Sequence, residues 1–174
     1  WHFDNPATGK NAWDNTPNSL KTILPGAENH KKFTSWLDKA AVFFLSLKDK
    51  NGKNIPILFR PFHELTGGWF WWGKGNCTPE EFKTAWKFTF DYLQKKGVHN
   101  LIYIYNTGSF GSENDFLTNY PGDNYVDMLS FDTYQNSNDP NGEKFIGEVQ
   151  NQFKILNEIS AKKHKLMALS EAGY

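Results

Sequence analysis

The 174 residues of this chain suffice for one folded domain, and because 39% of them are hydrophobic the chain can bury a core and is not of the disordered class. Nineteen basic and nineteen acidic residues cancel to a formal net charge of zero, which argues against a nucleic-acid or anionic-membrane partner, since both attract a basic surplus. The apolar runs are far shorter than the roughly 20 residues of a membrane span, and the single cysteine excludes an internal disulfide framework.

Helices and strands are predicted to alternate along the chain. After a loop-like stretch over residues 1–28, apolar residues recur at three- and four-residue steps from 29 to 50, which predicts a helix. Thr78-Pro79-Glu80-Glu81 has the form of a capping box, and the helix that it begins is predicted to run to Gly97. A short helical stretch is predicted over 112–119 and a longer helix over 144–163. The predicted strands cover 55–59, 101–105, 125–131 and 165–169.

The predicted strands are continuous apolar runs, which is typical of strands buried on both faces of a parallel sheet. Their alternation with helices therefore predicts the α/β class. Four strands are few for an open sheet and fit better as part of a (β/α)8 TIM barrel, which needs about 250 residues. We therefore expect residues 1–174 to form an internal segment of a larger barrel domain.

Two glutamates follow different strands of this predicted sheet. Glu64 comes after the first strand and Glu171 after the fourth, and the carboxyl ends of parallel strands meet at one edge. We therefore expect both carboxylates at one mouth. Such a pair suits glycoside hydrolysis, in which one carboxyl group protonates the leaving oxygen and the other attacks or stabilises the anomeric carbon.

The alternation of side chains along a strand places Arg60 one layer below Glu64. A buried guanidinium needs a carboxylate partner, and this pairing would keep one glutamate ionised as a nucleophile. Aromatic walls from residues 69–72 would raise the pKa of the other glutamate by desolvation. The same alternation puts Asp132 and Tyr134 on one face, with the Tyr134 hydroxyl near the carboxylates.

The loop after the first strand holds four consecutive aromatic residues, at 69–72, behind two glycines. A loop offers them little core to enter, so we expect them to wall a cleft. No metal is expected, because His63-Glu64 would need a second histidine at position 67, which is glycine. Taken singly, a glutamate at a strand end can also be a solvated residue or a helix cap, and Arg60 can form a purely structural ion pair.

The stretch at 60–73, RPFHELTGGWFWWG, resembles the acid/base motif of glycoside hydrolase family 26, whose best-known members are endo-β-1,4-mannanases. Residues 1–6 resemble the motif of this family after the third barrel strand. Residues 131–135 resemble the end of the sixth strand, and 170–173 resemble the nucleophile motif of the seventh. The order and the separation of these motifs agree with the family over essentially the whole chain.

The resemblance implies a single catalytic domain, of which the chain covers roughly barrel strands 3 to 7. It implies a retaining double displacement without a cofactor, with Glu64 as the general acid/base and Glu171 as the nucleophile. Arg60 and Asp132 would support the two carboxylates. The residues predicted to contact the substrate or to orient the nucleophile are His2, His63, Trp69, Trp72 and Tyr134.

The implied substrate is a β-mannan, meaning mannan, glucomannan or galactomannan. A mixed-linkage β-glucan or a β-1,3-xylan remains open as the substrate of a related enzyme, and so does a non-catalytic carbohydrate-binding protein that keeps the aromatic cleft. Because polymers of this size do not enter cells, we expect a secreted, periplasmic or cell-surface protein. We also expect a monomer.

Overall fold

The computed structural model describes residues 2–135, 138–139 and 141–173, in which strands and helices alternate. The strands are β1 (Ile57–Phe59), β2 (Leu101–Thr107), β3 (Met128–Tyr134) and β4 (Leu166–Gly173). The helices are α1 (His30–Ser46), α2 (Pro79–Lys95), α3 (Glu113–Leu117) and α4 (Glu143–Lys163), with short 3-10 helices at Leu20–Ile23 and Asp123–Tyr125. No helix within these ranges is long and apolar enough to cross a bilayer.

The four strands form one sheet in the order β1-β2-β3-β4, and each neighbouring pair is parallel. This confirms the predicted α/β class with a parallel sheet. Helices pack on the sheet through an aromatic-rich core in which Phe33 of α1, Trp86 of α2 and Phe131 of β3 are almost completely buried. All four strands therefore present their carboxyl ends at the same edge, as required for a shared site.

The predicted capping box at the start of α2 is confirmed. The Thr78 hydroxyl accepts a hydrogen bond from the Glu81 backbone at 3.2 Å, and the Glu81 carboxylate accepts one from the Thr78 backbone at 2.8 Å. Two backbone N–H groups that the helix leaves unpaired are thereby satisfied, with Pro79 at the first helical position.

Two kinds of predicted boundary differ from the structure. Helix α1 ends at Ser46 instead of continuing to residue 50, because the Asp49 carboxylate accepts hydrogen bonds from the backbone of Asn51 and Lys53 and stabilises a turn there. Strands β2, β3 and β4 continue past their predicted ends. The polar residues that were expected to follow these strands are therefore their last residues, still held by the backbone ladder of the sheet.

The aromatic loop does not form a cleft wall along its whole length, which corrects the prediction. Only Trp69 is exposed, at 42%, whereas Phe70, Trp71 and Trp72 are at most 2% exposed. The Trp71 indole donates to the Phe3 carbonyl at 3.2 Å, and the Trp72 indole donates to the His63 carbonyl at 2.8 Å. The N-terminal segment thus supplies a layer of core that buries this loop from the other side.

Close backbone packing inside this loop predicts a stability defect. A Cβ atom at Gly73 would lie 2.0 Å from the Gly67 carbonyl oxygen, and a backbone atom cannot move aside as the end of a side chain can. We expect Gly73→Ala to lower the free energy of unfolding by about 1 to 3 kcal/mol, measured by urea denaturation. Gly147→Ala is the control, because a Cβ atom there meets nothing within 4 Å. It lies in α4 and should stabilise by about 0.5 to 1 kcal/mol. Equal stability of the two variants would contradict this account.

Candidate active site

A cavity of about 320 Å³ opens at the carboxyl edge of the sheet, and we call it the glutamate cavity. It is lined by His2, Trp13, His63, Glu64, Trp69, Phe70, Tyr134 and Glu171. The structure thus brings both predicted catalytic glutamates together with four of the five predicted contact residues. A volume of this size and a mixture of aromatic and ionisable walls are common in small-ligand sites.

Glu64 lies in the loop that follows β1 and is held in a strained backbone conformation. Its φ is +50°, in the left-handed region that non-glycine residues rarely adopt. The backbone N–H of Glu64 donates a hydrogen bond of 2.9 Å to the Asn106 side chain at the end of β2. At the other end of the residue, the Trp69 indole donates to Glu64 Oε2 at 2.7 Å. These two bonds hold the carboxyl group in one orientation despite the strain.

An irregularity in β4 places Glu171. Phe131 pairs with Leu169 but the next residue of β3, Asp132, pairs with Glu171, so Ser170 is an extra residue in β4. A β-bulge of this kind changes the direction in which the following side chain points. Glu171 therefore lies opposite Asp132 and faces the glutamate cavity.

Arg60 joins two carboxylates below the cavity. Its Nη1 donates to Asp132 Oδ2 at 2.8 Å, and its Nη2 donates to Glu171 Oε1. Asp132 is buried, and its second oxygen accepts a hydrogen bond of 2.9 Å from the Asn106 amide. The predicted pairing of Arg60 is therefore present, and the buried Asp132 charge has both an ion-pair partner and a hydrogen bond.

The two glutamates differ in the direction of their pKa shifts. Burial raises the pKa of Glu64, and the negative charges of Asp132 and Glu171 add to this effect, which outweighs the hydrogen bond from Trp69. Partial burial also acts to raise the pKa of Glu171, but hydrogen bonds from Tyr134 and Arg60 outweigh it and the net shift is downward. The site therefore favours a protonated Glu64 beside an ionised Glu171.

The carboxylates of Glu64, Asp132 and Glu171 each place one oxygen within 4.8 Å of the others. The oxygens of the two glutamates are therefore close enough for both groups to act on one sugar residue, as glycoside hydrolysis requires. Three carboxylates could also ligate a cation, but here Arg60 already supplies positive charge to two of them. The geometry thus suits proton transfer to the oxygen and nucleophilic attack on the carbon of one glycosidic bond.

Two histidines form one wall of the cavity. The rings of His2 and His63 stack with their centroids 4.8 Å apart. Burial, reinforced by the nearby His2 and Arg60, lowers the pKa of His63 to about 4, so this imidazole is neutral near pH 7. The buried Asn5 amide donates to the Asp14 carbonyl and to the Ser19 hydroxyl, which ties down the N-terminal segment that carries His2.

Trp72 differs from its predicted place, and two residues of the site were not predicted. Trp72 does not line the glutamate cavity because its ring is buried against the neighbouring aromatic residues. Trp13, which is 58% exposed at the cavity wall, and Asn106, which bonds to both Glu64 and Asp132, were missed. The position of Asn106 directly after a predicted strand could have indicated that it belongs to the site. Trp13 lies in a segment with no periodic pattern, so nothing in the sequence indicated its place.

The hydrogen bond between Tyr134 and Glu171 predicts a change in pH dependence. The Tyr134 hydroxyl donates to Glu171 Oε2 at 2.6 Å and so stabilises the carboxylate. Tyr134→Phe should raise the pKa of Glu171, so that activity is lost at a higher pH as the pH falls. Because hydrogen bonds to charged groups contribute about 1.5 to 3 kcal/mol, kcat should fall by about 10- to 100-fold.

The measurement is the pH profile of kcat/KM, in which the acidic limb should move to higher pH. Tyr92→Phe is the matched control, because its hydroxyl donates to the Asp38 carboxylate at 2.9 Å on the helices, away from the cavity. An unchanged acidic limb in Tyr134→Phe would mean that this hydroxyl does not control the ionisation of Glu171.

A family model, a related enzyme and two solved structures all match this chain. The sequence model described as Glycosyl hydrolase family 26 matches residues 1–169. A mannan endo-1,4-beta-mannosidase of Bifidobacterium adolescentis is 36% identical over 99% of this chain. Among solved structures, a GH26 beta-mannanase from Bacteroides ovatus has 41% identity and a TM-score of 0.94, and an endo-beta-1,4-mannanase catalytic domain from Bacillus sp. JAMB-750 has 37% and 0.95, each over 99% of the chain.

These structural similarities confirm the predicted (β/α)8 barrel fold. The four parallel strands form part of a (β/α)8 barrel like that of the matched β-mannanases. The chain spans 18% of the Bifidobacterium protein and 49% and 45% of the two solved chains. That residues 1–174 belong to a single catalytic domain stays a prediction, and so do the individual roles of the site residues.

Proposed function

Because this chain belongs to glycosyl hydrolase family 26, we propose that it carries the catalytic centre of a retaining endo-β-1,4-mannanase. The observation that carries the proposal is the pair of glutamates across one cavity, with the pKa of Glu64 raised and that of Glu171 lowered. The names of the relatives, which are mannan endo-1,4-beta-mannosidases and β-mannanases, support β-mannan as the substrate class.

The proposed reaction proceeds in two displacements. In the first, the Glu171 carboxylate attacks the anomeric carbon while the Glu64 carboxyl group donates its proton to the leaving glycosidic oxygen, so a glycosyl–Glu171 ester forms as the glycosidic bond breaks. In the second, ionised Glu64 takes a proton from water, and the resulting hydroxide attacks the anomeric carbon and releases Glu171. Two inversions leave the β configuration unchanged.

Arg60 and Tyr134 contribute by holding Glu171. Each donates a hydrogen bond to a different carboxylate oxygen, so the nucleophile is ionised and fixed in orientation before substrate arrives. The exposed Trp69 and Trp13 offer flat apolar faces at the cavity wall, which suit the apolar face of a sugar ring. His63, neutral near pH 7, can donate or accept one hydrogen bond to a hydroxyl group.

The test is hydrolysis by the full-length protein that contains this chain. We expect reducing-end release from galactomannan and glucomannan to exceed release from lichenan or β-1,3-xylan, and the first product observed by NMR to have the β-anomeric configuration. Faster hydrolysis of lichenan or β-1,3-xylan would assign the chain to the alternative substrates. Binding of mannan without turnover would assign it to non-catalytic carbohydrate binding, and an α-anomeric first product would exclude the double displacement.

We further propose that the protein acts as a monomer and is secreted, periplasmic or at the cell surface. The location is supported by the substrate, because a polymer of this size does not enter cells. The balance of charged residues supports a partner other than nucleic acid. Fractionation of the source cells and light scattering of the purified protein test the two statements.

A further inference from the structure

A second and larger cavity lies beside the glutamate cavity. It has a volume of about 610 Å³ and lies between the loops that follow β1 and β2 and the first half of α4. Side-chain amides from Asn119, Asn151 and Gln152 line it, and we call it the amide cavity. Its volume is within the range of ordinary ligand sites.

The two cavities are neighbours along the chain and in space. Glu64 lines the glutamate cavity, and the next two residues, Leu65 and Thr66, line the amide cavity. The Thr66 hydroxyl donates to the Ser109 carbonyl at 3.2 Å, and a Cβ atom at Gly108 would lie 3.4 Å from that hydroxyl and 3.6 Å from the Trp69 ring. Thr66 and Trp69 therefore stand at the partition between the cavities.

Gln152 carries an unpaired polar atom at the amide cavity. Its side chain is buried at 3% exposure, and its Oε1 has no hydrogen-bond partner among the described residues. A buried acceptor without a partner costs about 1 to 3 kcal/mol. Gln152 shares the buried face of α4 with the apolar Leu156 and Ile159, so packing alone gives no reason for an amide at this position. Because this oxygen is itself shielded from solvent, the Gln152 side chain has to turn before a ligand hydroxyl group in the cavity can donate to it.

The chemistry of the lining favours a neutral ligand rich in hydroxyl groups. Amide groups both donate and accept hydrogen bonds, as sugar hydroxyls require. Among the described lining residues, the carboxylates of Asp115 and Glu148 outnumber the one cation, Lys74, and disfavour an anion. Leu65 and Phe110 add apolar surface.

We propose that the amide cavity is a second saccharide-binding site, which holds a neutral oligosaccharide stretch of the polymer cleaved at the glutamate cavity. This inference rests on the proposed function for the identity of the sugar. Binding at two adjacent sites on one polymer raises the effective concentration of substrate at the first. The second site should therefore lower KM for long chains more than for short ones.

Cys77 offers a local readout, because this single cysteine of the chain lines the amide cavity and does not line the glutamate cavity. Burial raises the pKa of the Cys77 thiol to about 12, so its alkylation is slow and is followed over hours at alkaline pH. The experiment uses the full-length protein with Glu171→Gln, which prevents turnover, and follows alkylation of the Cys77 peptide by mass spectrometry with and without mannohexaose. At ten times the Kd, alkylation should slow by about ten-fold, because only the unoccupied cavity reacts. A rate that mannohexaose does not change would overturn the proposal.

Gln152→Leu tests the amide itself. We expect it to weaken protection of Cys77 by about five-fold in apparent Kd and, in the protein with Glu171 intact, to raise KM for galactomannan. Gln150→Leu is the matched control, because Gln150 is exposed two residues earlier in α4. Equal protection and equal KM in the two variants would overturn the role of Gln152.

A second variant tests the amide cavity in case Gln152→Leu does not fold. Gly111→Trp fills the cavity from its loop, where a Cβ atom would meet only the Asp115 carboxylate at 3.7 Å, and it should raise KM for galactomannan as well. An unchanged KM for galactomannan in this variant would contradict saccharide binding in the amide cavity. Failure of the proposed function is distinguishable, because the unaltered protein would then not hydrolyse mannan, whereas failure of the second site leaves hydrolysis intact.

Discussion

Replacement of Glu171 by glutamine or alanine is expected to lower kcat on mannan by a factor of about 10⁴ to 10⁶, because among the described residues of the cavity no other group is placed to form the covalent ester. Asp132 cannot take over this role, since it is buried and its oxygens are occupied by Arg60 and Asn106. The measurement is kcat on galactomannan together with circular dichroism, which should show an unchanged fold.

Azide distinguishes loss of the nucleophile from damage to the site. In Glu171→Ala, azide can occupy the space of the missing carboxylate and should form the α-mannosyl azide by a single inversion. Glu158→Gln is the control, because Glu158 is exposed on α4, and it should keep full activity. A Glu171→Ala protein that retains the β-anomeric product at near-normal rate would contradict the assignment of the nucleophile.

Replacement of Glu64 by alanine should lower kcat on mannan by about 10²- to 10⁴-fold, the usual contribution of general acid–base catalysis. An activated aryl β-mannoside needs no protonation of its leaving group, so its first step should stay fast and appear as a burst. Azide attacks the glycosyl–Glu171 ester without a general base and should restore turnover, with the β-mannosyl azide as the product.

The stereochemistry of the azide product provides the test of this assignment. If Glu64→Ala yields the α-azide and Glu171→Ala the β-azide, the roles of the two residues are reversed. The pH profile gives an independent measurement: the pKa of Glu64 is raised by burial and the alkaline limb of kcat/KM should report its ionisation. In Glu64→Ala with an activated substrate, this limb should disappear.

Because the pKa of Glu64 is raised on folding, we expect this residue to lower the stability of the folded protein at higher pH. A carboxyl group whose pKa is raised on folding binds its proton more tightly in the folded protein, so the stability that it contributes is present below its unfolded pKa and is lost as the pH rises through its folded pKa. The left-handed backbone at Glu64 adds strain to the same residue. Both features are retained at the residue that must hold and release a proton.

Much of this architecture could be predicted from local sequence patterns. The capping box at Thr78, the helical stripe of α1 and the apolar strand runs all depend on residues within a few positions of one another, and the structure confirms each element. The shared edge of parallel strands then sufficed to predict that Glu64 and Glu171 meet. The predicted pairing of Arg60 with a carboxylate is present, although β1 ends at Phe59 and strand alternation therefore does not extend to Glu64.

The errors arose where burial depends on segments remote in sequence. Trp72 follows two glycines and was predicted to face substrate, but the N-terminal segment covers the loop and places this ring in the core. The same segment carries Trp13 to the cavity wall, although nothing in its composition indicates a fixed position. Gln152 was overlooked because an amide on a helix gives no periodic signal.

The sequence by itself determined the chemistry of this protein, namely which carboxylates, guanidinium and aromatic groups are available and on which strand ends they lie. Only the tertiary structure decided how these groups act: the bulge at Ser170 turns Glu171 toward the cavity, Asn106 holds Glu64, and burial separates the two pKa values. The reason is physical. Local patterns record the preferences of the backbone within one element, whereas desolvation, register and close packing are properties of several elements in contact.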